Sequence, residues 1–313
     1  MAKPPFPVPT PGEGRRIGAS TLKAIDSRLN ALLGLDQALG SRRLRATAED
    51  DFTLVTTLMA TAVYDESTAT GLHRLAARAA GTLGWLAYDD AHPAAQAFFE
   101  TSIDLADAGG AGDIRAYFTA LLAHQQCSVG EARTALALVE SARPHAGRDA
   151  VSARTTAALL AASARAHAAL GNATERARTA EAAQVALASD TAMQTDTLNS
   201  WVTIETLEAN AGVDLLRLGR PRQALQHFEV LHTGAFPCEE RPRDAALRLA
   251  EAGQAQLAVG EVEAAVSYAV RAQRYLSRVA SARTAKRVAE LRQRLSSYGA
   301  VAAVRQFLDH PVP

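Results

Sequence analysis

The sequence predicts an all-α fold, a right-handed α-solenoid of stacked helical hairpins, and three observations support this prediction. Alanine is the commonest of the 313 residues, and it is the best helix former because it loses no side-chain entropy on ordering. Apolar residues recur at helical spacing over most of the chain, and no segment shows the apolar–polar alternation of a half-buried strand. Glycines recur between the predicted helices at nearly regular intervals.

Four glycines mark a repeat, since each stands between two amphipathic helices: Gly130, Gly171, Gly219 and Gly260. They lie 41, 48 and 41 residues apart, and small residues recur at fixed distances from them. The residues seven before them are Ala123, Ala164, Gly212 and Gly253, those five after are Ala135, Arg176, Ala224 and Ala265, and those twelve after are Ala142, Ala183, Leu231 and Ala272.

This spacing is typical of helical hairpins. Glycine permits the left-handed turn between two helices, and small residues at fixed offsets let the two helices approach closely. One hairpin cannot bury its apolar face alone, so successive hairpins stack on each other. With an earlier unit around Trp85, five hairpins are expected over residues 71–280.

The other segments flank these hairpins. Residues 1–16 contain five prolines, a composition that cannot form a core, and are expected to be a disordered arm. Residues 17–70 are expected to form an N-terminal helical pair, with helices over about 20–39 and 50–64. Residues 281–313 are expected to form C-terminal capping helices.

The offsets of the small residues resemble those of the tetratricopeptide repeat. A closer resemblance covers nearly the whole chain and is carried by residues 82–89 (TLGWLAYD), residues 94–108, the turn at 218–224 (LGRPRQA) and the ending at 304–308 (VRQFL). These segments are similar to the C-terminal tetratricopeptide domain of actinobacterial transcriptional regulators that carry an N-terminal helix-turn-helix of the Xre type.

The chain departs from that family at its N-terminus. A DNA-binding domain precedes this region in the family, whereas a proline-rich arm precedes it here. Either the DNA-reading half is lost and the protein works through partners, or the sequence is a fragment of a longer chain. Both alternatives stay open.

The resemblance implies a concave groove lined by the first helix of each hairpin, which takes peptides or partner segments. By register, the ligand-binding candidates are Arg78, Trp85, Tyr88, Asp89, Tyr117, His124, Arg165, Arg217 and Gln254. This set combines aromatic rings with arginines, which favours an acidic or carboxylate-bearing ligand. Trp85, Tyr88 and Trp201 could equally belong to the core.

Composition and motifs exclude several classes of protein. Basic and acidic residues number 33 each, which disfavours a strongly cationic nucleic-acid binder. No apolar run is long enough for a membrane span. Cys127 and Cys238 are expected to be inert thiols in a reducing cytoplasm, and the histidines show no metal-ligand spacing. We expect no metal, no cofactor and no catalytic residue.

Three functions remain from different classes. The first is a non-enzymatic, regulator-like scaffold that binds a peptide, a small signal or a partner protein in transcriptional regulation or a biosynthetic pathway. The second is a DNA-associated regulator, and the third is a regulator-like protein recruited as an enzyme or enzyme accessory, with His124 as the first suspect. A homodimer through the C-terminal helices is an open alternative.

The second function depends on a basic C-terminal segment. The segment carries eight cations and a single acidic residue, Glu290, and is interpreted first as a solvated or capping helix, then as a surface for nucleic acid or an acidic partner. The cations are Arg271, Arg274, Arg278, Arg283, Lys286, Arg287, Arg292 and Arg294.

Overall fold

The structure is a computed structural model that describes residues 15–142, 151–190 and 198–309. Within these ranges the chain forms fourteen α-helices and no strand, which confirms the all-α class. The helices are α1 (Ala19–Leu39), α2 (Ser41–Thr61), α3 (Glu66–Asp89), α4 (Ala95–Ala108), α5 (Gly112–Ser128), α6 (Ala132–Ala142), α7 (Ala153–Ala169), α8 (Ala173–Ala188), α9 (Ile204–Arg217), α10 (Pro221–Phe228), α11 (Pro242–Ala258), α12 (Val262–Leu276), α13 (Ala282–Ser296) and α14 (Ala302–Asp309).

The N-terminal helical pair differs from its prediction at the start of α2. This helix begins at Ser41, nine residues before the predicted start at residue 50, because Gly40 with φ of 81° turns the chain directly out of α1. The missed segment includes Leu44 and Ala48, which are buried. Because the segment also carries three arginines, its short apolar stripe is not evident in the sequence.

The predicted N-terminal arm lies outside the described residues except for Arg15 and Arg16. These two residues run beside Val63, whose N–H donates to the Arg15 carbonyl at 3.2 Å. The Ile17 N–H donates to the Val63 carbonyl at 3.0 Å. The chain is therefore already attached to the helical body at residue 15, one residue before the predicted end of the arm.

The helices pack in neighbouring pairs, and alternate helices also contact each other. We call α1, α3, α5, α7, α9 and α11 the inner helices, since each contacts the next one in this series. The even-numbered helices α2 to α10 each pack against the inner helices before and after them, and α12 packs between α11 and α13. Helix α11 also contacts α1, which closes the inner helices into a circle.

The turn glycines adopt the conformation that the repeat predicted. Gly130, Gly171, Gly219 and Gly260 have φ between 70° and 95°, in the left-handed region that favours glycine. The small residues at the fixed offsets are buried in the helix pairs. Gly212 lies so close to Phe228 that a Cβ there would crowd the ring. The predicted link between small residues and close helix approach is therefore confirmed.

Four helices begin with the same type of N-terminal cap. A Ser, Thr or Asp side chain accepts a hydrogen bond from the N–H of a threonine three residues later, at the start of α3, α7, α9 and α13. This satisfies one of the N–H groups that a helix start leaves unpaired. The cap–threonine pairs are Asp65–Thr68, Ser152–Thr155, Thr203–Thr206 and Ser281–Thr284.

A backbone contact between the turn that joins α1 to α2 and the segment that precedes α13 reinforces the circle of inner helices. We call it the closure contact. The Ala280 N–H donates to the Leu39 carbonyl at 3.1 Å, and the Arg42 N–H donates to the Ala280 carbonyl at 3.2 Å. Gly40 lies between these two bonds, and a Cβ at this position would overlap the Ala280 backbone. The closure contact therefore requires glycine at position 40.

Candidate functional site

A cavity of about 390 Å³ lies within the circle of inner helices. This volume is in the range of small-molecule sites. We call it the central cavity, and its wall comes from α1, α3, α5, α9, α11, α13 and two connecting segments. The lining residues are Leu33, Asp36, Gln37, Thr82, Trp85, Tyr117, Phe118, Leu121, His124, Leu198, Ser200, Trp201, Thr203, Thr206, Asn210, Phe236, Pro237, Arg241, Arg243, Asp244, Leu247, Arg248 and Arg283.

One part of the wall is aromatic. The Trp201 indole Nε1 donates to the Tyr117 hydroxyl at 2.7 Å, which fixes both rings across 84 residues of sequence. The Tyr117 ring meets Phe118 edge-on, with centroids 5.0 Å apart. Leu121 and Phe236 complete this apolar surface. Because the indole N–H is already bonded, Trp201 offers a ligand mainly the face of its ring.

A second part of the wall is formed by arginines that each contact a carboxylate. Four arginines line the cavity, three from the region of α11 and one from α13. Such pairs offset the cost of burying a charge. The pairs are Arg241–Asp244, Arg243–Asp36, Arg248–Glu251 at 3.0 Å and Arg283–Asp89 at 3.1 Å.

Asp36 and Trp85 join these two parts of the wall. Asp36 accepts hydrogen bonds from the Trp85 Nε1 at 3.1 Å, from the Ser41 hydroxyl at 2.8 Å and from Arg243. The guanidinium groups of Arg243 and Arg283 each lie 5.3 Å from the Trp85 ring centroid, at cation–π distance. One carboxylate and one indole therefore connect α1, α3, α11 and α13.

A third group joins α5, α7, α9 and α11. Arg165 Nη1 lies 3.0 Å from His124 Nδ1, and Arg165 Nη2 donates to the Asn210 Oδ1 at 3.1 Å. The same Asn210 oxygen accepts from Arg248 Nη2 at 2.5 Å. The carboxylate of Asp214 lies 3.6 Å from Arg165. Asn210 is therefore the acceptor that holds two buried arginines side by side.

The electrostatics of the wall follow from burial and from these pairs. Burial, assisted by Arg165, holds the pKa of His124 well below its usual range, so its imidazole is neutral near pH 7. Burial alone would raise the pKa of Asp244, but Arg241 and Arg243 outweigh it and keep that pKa below its usual range. Asp244 is therefore ionised near pH 7.

The nine sequence-predicted candidates separate into three groups. Trp85, Tyr117 and His124 line the central cavity. Asp89, Arg165 and Tyr88 lie one contact behind it: Asp89 bonds Arg283, Arg165 bonds His124, and the Tyr88 ring lies 5.3 Å below Arg283. Arg78, Arg217 and Gln254 are not among its lining residues.

Each residue of the third group has a different surrounding. Arg78 binds Asp26 and donates to the Asn30 Oδ1 at 2.6 Å, between α1 and α3. Arg217 is exposed at the C-terminal end of α9. The Gln254 Oε1 accepts from Arg294 at 3.3 Å. These three candidates therefore lie outside the lining of the central cavity.

The sequence reasoning missed the residues that contribute most to the polar wall. Arg241 is the N-cap residue of α11, Arg243 and Arg248 lie within α11, and Asn210 lies within α9. A pattern was present, since Arg241, Asp244, Arg248 and Glu251 recur at helical spacing on one face of α11. Such a row of alternating charges usually predicts a solvated helix surface rather than a cavity wall.

The basic C-terminal segment is largely engaged within the fold. Arg283 lines the cavity, and Arg292 donates to the carbonyls of Phe307 and Leu308 at the end of α14. Arg274 and Arg278 both contact Glu239. The expectation that Glu290 is the single opposing charge is therefore wrong, because Glu239 and Asp89 arrive from distant parts of the chain.

A scan against protein-family models and a search of curated proteins find no match to this chain. Within residues 15–142, 151–190 and 198–309, no helix is long and apolar enough to cross a membrane. Over the same ranges, no three His, Cys, Asp or Glu side chains are grouped as metal ligands.

Proposed function

We propose that this chain is a non-enzymatic recognition protein that binds a small molecule in the central cavity. The observation that carries the proposal is the cavity itself, about 390 Å³ in volume and lined by aromatic rings beside polar groups that are held by ion pairs and hydrogen bonds. This combination is typical of small-molecule sites, in which the apolar surface supplies affinity and the polar groups supply orientation.

The circle of inner helices favours a small molecule over a peptide or a partner segment. An extended peptide advances about 3.3 Å per residue and needs a groove that is open along its length. Here the contact between α1 and α11 and the closure contact at Ala280 join the two sides of such a groove. The small signal, one of the three ligands considered from the sequence, therefore fits this site best.

We further propose that the helix pairs form a right-handed, tetratricopeptide-like solenoid. The turn glycines with positive φ, the buried small residues at fixed offsets and the contacts between successive inner helices support this arrangement. The resemblance to Xre-type regulators then supports a cytoplasmic role in gene regulation or in a biosynthetic pathway. In that role the bound molecule is the signal and a partner protein reads the occupied state.

Neither of the other two functions gains a specific observation. Direct DNA contact would use the basic C-terminal segment, whose arginines are engaged with Glu239, Asp89 and backbone carbonyls. Catalysis would call for two groups of opposed pKa facing each other in the cavity. His124 lines the cavity, whereas Asp214 lies behind Arg165.

Native mass spectrometry tests the proposed function. The full chain is incubated with the low-molecular-weight fraction of a cell extract, and we expect a discrete adduct of one small molecule per chain. The variant Leu121→Trp, which reduces the cavity volume, is expected to lose the adduct, whereas Leu54→Trp, at an exposed position on α2, is expected to keep it. An adduct that survives in Leu121→Trp would place the small-molecule site elsewhere.

A further inference from the structure

Each arginine that lines the central cavity is paired with a carboxylate of the chain. Arg241 contacts Asp244, Arg243 contacts Asp36, Arg248 contacts Glu251 and Arg283 contacts Asp89. Behind them, Arg165 lies 3.6 Å from Asp214. Five cations therefore face five carboxylates, and the formal charges of these pairs cancel.

The carboxylates cannot easily leave these pairs. Asp89 is fully buried, Asp36 is 3% exposed and Asp214 is 2% exposed. A carboxylate that loses its arginine at such a depth leaves an uncompensated charge in a low-dielectric site. An anionic ligand that pairs with a cavity arginine would therefore leave the carboxylate of that arginine without a counter-ion. A cationic ligand that pairs with a carboxylate would leave the arginine without one, at the same kind of cost.

His124 adds no charge to this balance. Its ring lies against Arg165 and within 5.8 Å of the Tyr88 ring, and the charged groups that act on it are Arg165, Arg283, Arg217 and Arg248. Protonation would add a further cation to these four, so the neutral imidazole is the stable form.

Besides the ion pairs and several hydroxyl and amide side chains, the cavity has an apolar surface that is rich in rings. Tyr117, Phe118, Leu121, Trp201 and Phe236 are all lining residues. The Trp201 indole N–H is already bonded to Tyr117, so the rings present mainly their faces and edges. A flat ring system can stack or meet such rings edge-on.

We infer that the central cavity selects a small molecule that has an apolar, ring-bearing body and no net charge. This inference rests on the proposed function, since it specifies the chemistry of the molecule bound at the same site. A phosphorylated or otherwise anionic metabolite is expected to bind more weakly, because the arginines are already paired with carboxylates.

Two fluorescent probes with one arylamine skeleton test the inference. N-phenyl-1-naphthylamine is uncharged, and 8-anilinonaphthalene-1-sulfonate carries an added sulfonate. Both tryptophans of the chain, Trp85 and Trp201, line the cavity, so a probe that binds there is expected to quench tryptophan emission. We expect saturable binding of the uncharged probe at one site per chain, with at least tenfold higher affinity than the sulfonate.

A pair of variants separates charge from hydrophobicity. Glu251→Gln keeps a hydrogen-bond acceptor for Arg248 but removes its counter-charge, and we expect the affinity ratio of sulfonate to uncharged probe to rise at least threefold. Glu175→Gln removes the partner of exposed Arg178 on α8 and is expected to leave the ratio unchanged. Asp89→Asn, which releases the charge of Arg283, repeats the measurement if Glu251→Gln does not fold.

The outcomes distinguish this inference from the proposed function. Equal or tighter binding of the sulfonate by the native chain, or an unchanged ratio in the Glu251→Gln and Asp89→Asn variants, would overturn the selection against charge while leaving a small-molecule site in place. Failure of both probes to quench Trp85 and Trp201 would overturn the inference and the proposed function together.

Discussion

Asp36 and Arg243 are 207 residues apart in the sequence, yet they form a buried ion pair in the wall of the central cavity. Their side chains are 4% and 1% exposed. Asp36 lies on α1 and Arg243 on α11, so the same pair joins the two ends of the circle and lines the candidate site. Occupancy of the cavity and closure of the circle therefore depend on shared residues.

Removal of one partner of this pair is expected to be costly. In Arg243→Met, Asp36 stays buried without its cation, and we expect the free energy of unfolding to fall by about 3–5 kcal/mol. Guanidinium-induced unfolding followed by circular dichroism measures the change. Arg178→Met, in an exposed pair with Glu175, is the control and is expected to change the stability little. Equal stabilities for the two variants would contradict a structural role of Arg243.

Gly40 is expected to tolerate alanine less well than a turn glycine does. Gly40 and Gly130 have φ of 81° and 95°, so a side chain strains the backbone at both by about 1–2 kcal/mol. At Gly130 the space is open, whereas at Gly40 the new Cβ overlaps the Ala280 backbone. We expect Gly40→Ala to lower the thermal unfolding midpoint at least twice as much as Gly130→Ala. Equal shifts would show that the closure contact adjusts freely.

Stability is expected to fall as the pH decreases through the range in which His124 would bind a proton. The folded-state pKa lies well below the ordinary value of 6.5, so the unfolded chain takes up a proton first and the folded state loses stability as the pH falls below 6.5. The slope for one such group approaches about 1.4 kcal/mol per pH unit.

Paired variants isolate the contribution of His124. His124→Gln is expected to flatten the pH dependence of the unfolding free energy between about pH 7.5 and pH 5, a range that extends about one unit or more to either side of the ordinary histidine pKa. Denaturant titrations at a series of pH values measure this dependence. His73→Gln, whose ring bonds the Ala69 carbonyl of its own helix, is the control. An unchanged slope in His124→Gln would contradict a buried neutral imidazole.

The side-chain oxygen of Asn210 is expected to contribute to the stability of the fold. The Asn210 Oδ1 accepts from Arg165 at 3.1 Å and from Arg248 at 2.5 Å, so Asn210→Leu leaves two buried donors unsatisfied. We expect a loss of about 2–3 kcal/mol, measured by denaturant unfolding. Asn210→Asp retains an accepting oxygen at this position and is expected to keep most of the stability. Equal stabilities for the leucine and aspartate variants would contradict this role of the Asn210 oxygen.

The helical hairpins were predictable because their determinants are local. A turn glycine and the alanines around it act within about 20 residues, which a sequence pattern reveals directly. The exception in the pattern is informative, since Arg176 stands where alanine recurs. Its Nη2 donates to the Ala211 carbonyl at 2.8 Å, so this arginine bonds the next inner helix instead of allowing a closer approach.

The closed circle and the polar wall were not predictable in the same way. The contact between α1 and α11 joins residues about two-thirds of the chain apart, and no local pattern encodes such a contact. Arginine is also a surface residue by default. Arg243 is buried because Asp36 and Trp85 contact it from α1 and α3, while Asp244 lies beside it on α11. Of the aromatic candidates, Trp85 and Tyr117 line the cavity, whereas Tyr88 lies behind it against Arg283.

The contact of α1 with α11 also determines how the molecule can come apart. A linear array of helix pairs has two free termini from which it frays, one unit at a time. In this chain the first pair is flanked by neighbours on both sides, so neither α1 nor α11 is a terminal unit. Local opening at one of these helices exposes the other, and backbone amides in the two helices are expected to exchange with solvent as one cooperative unit.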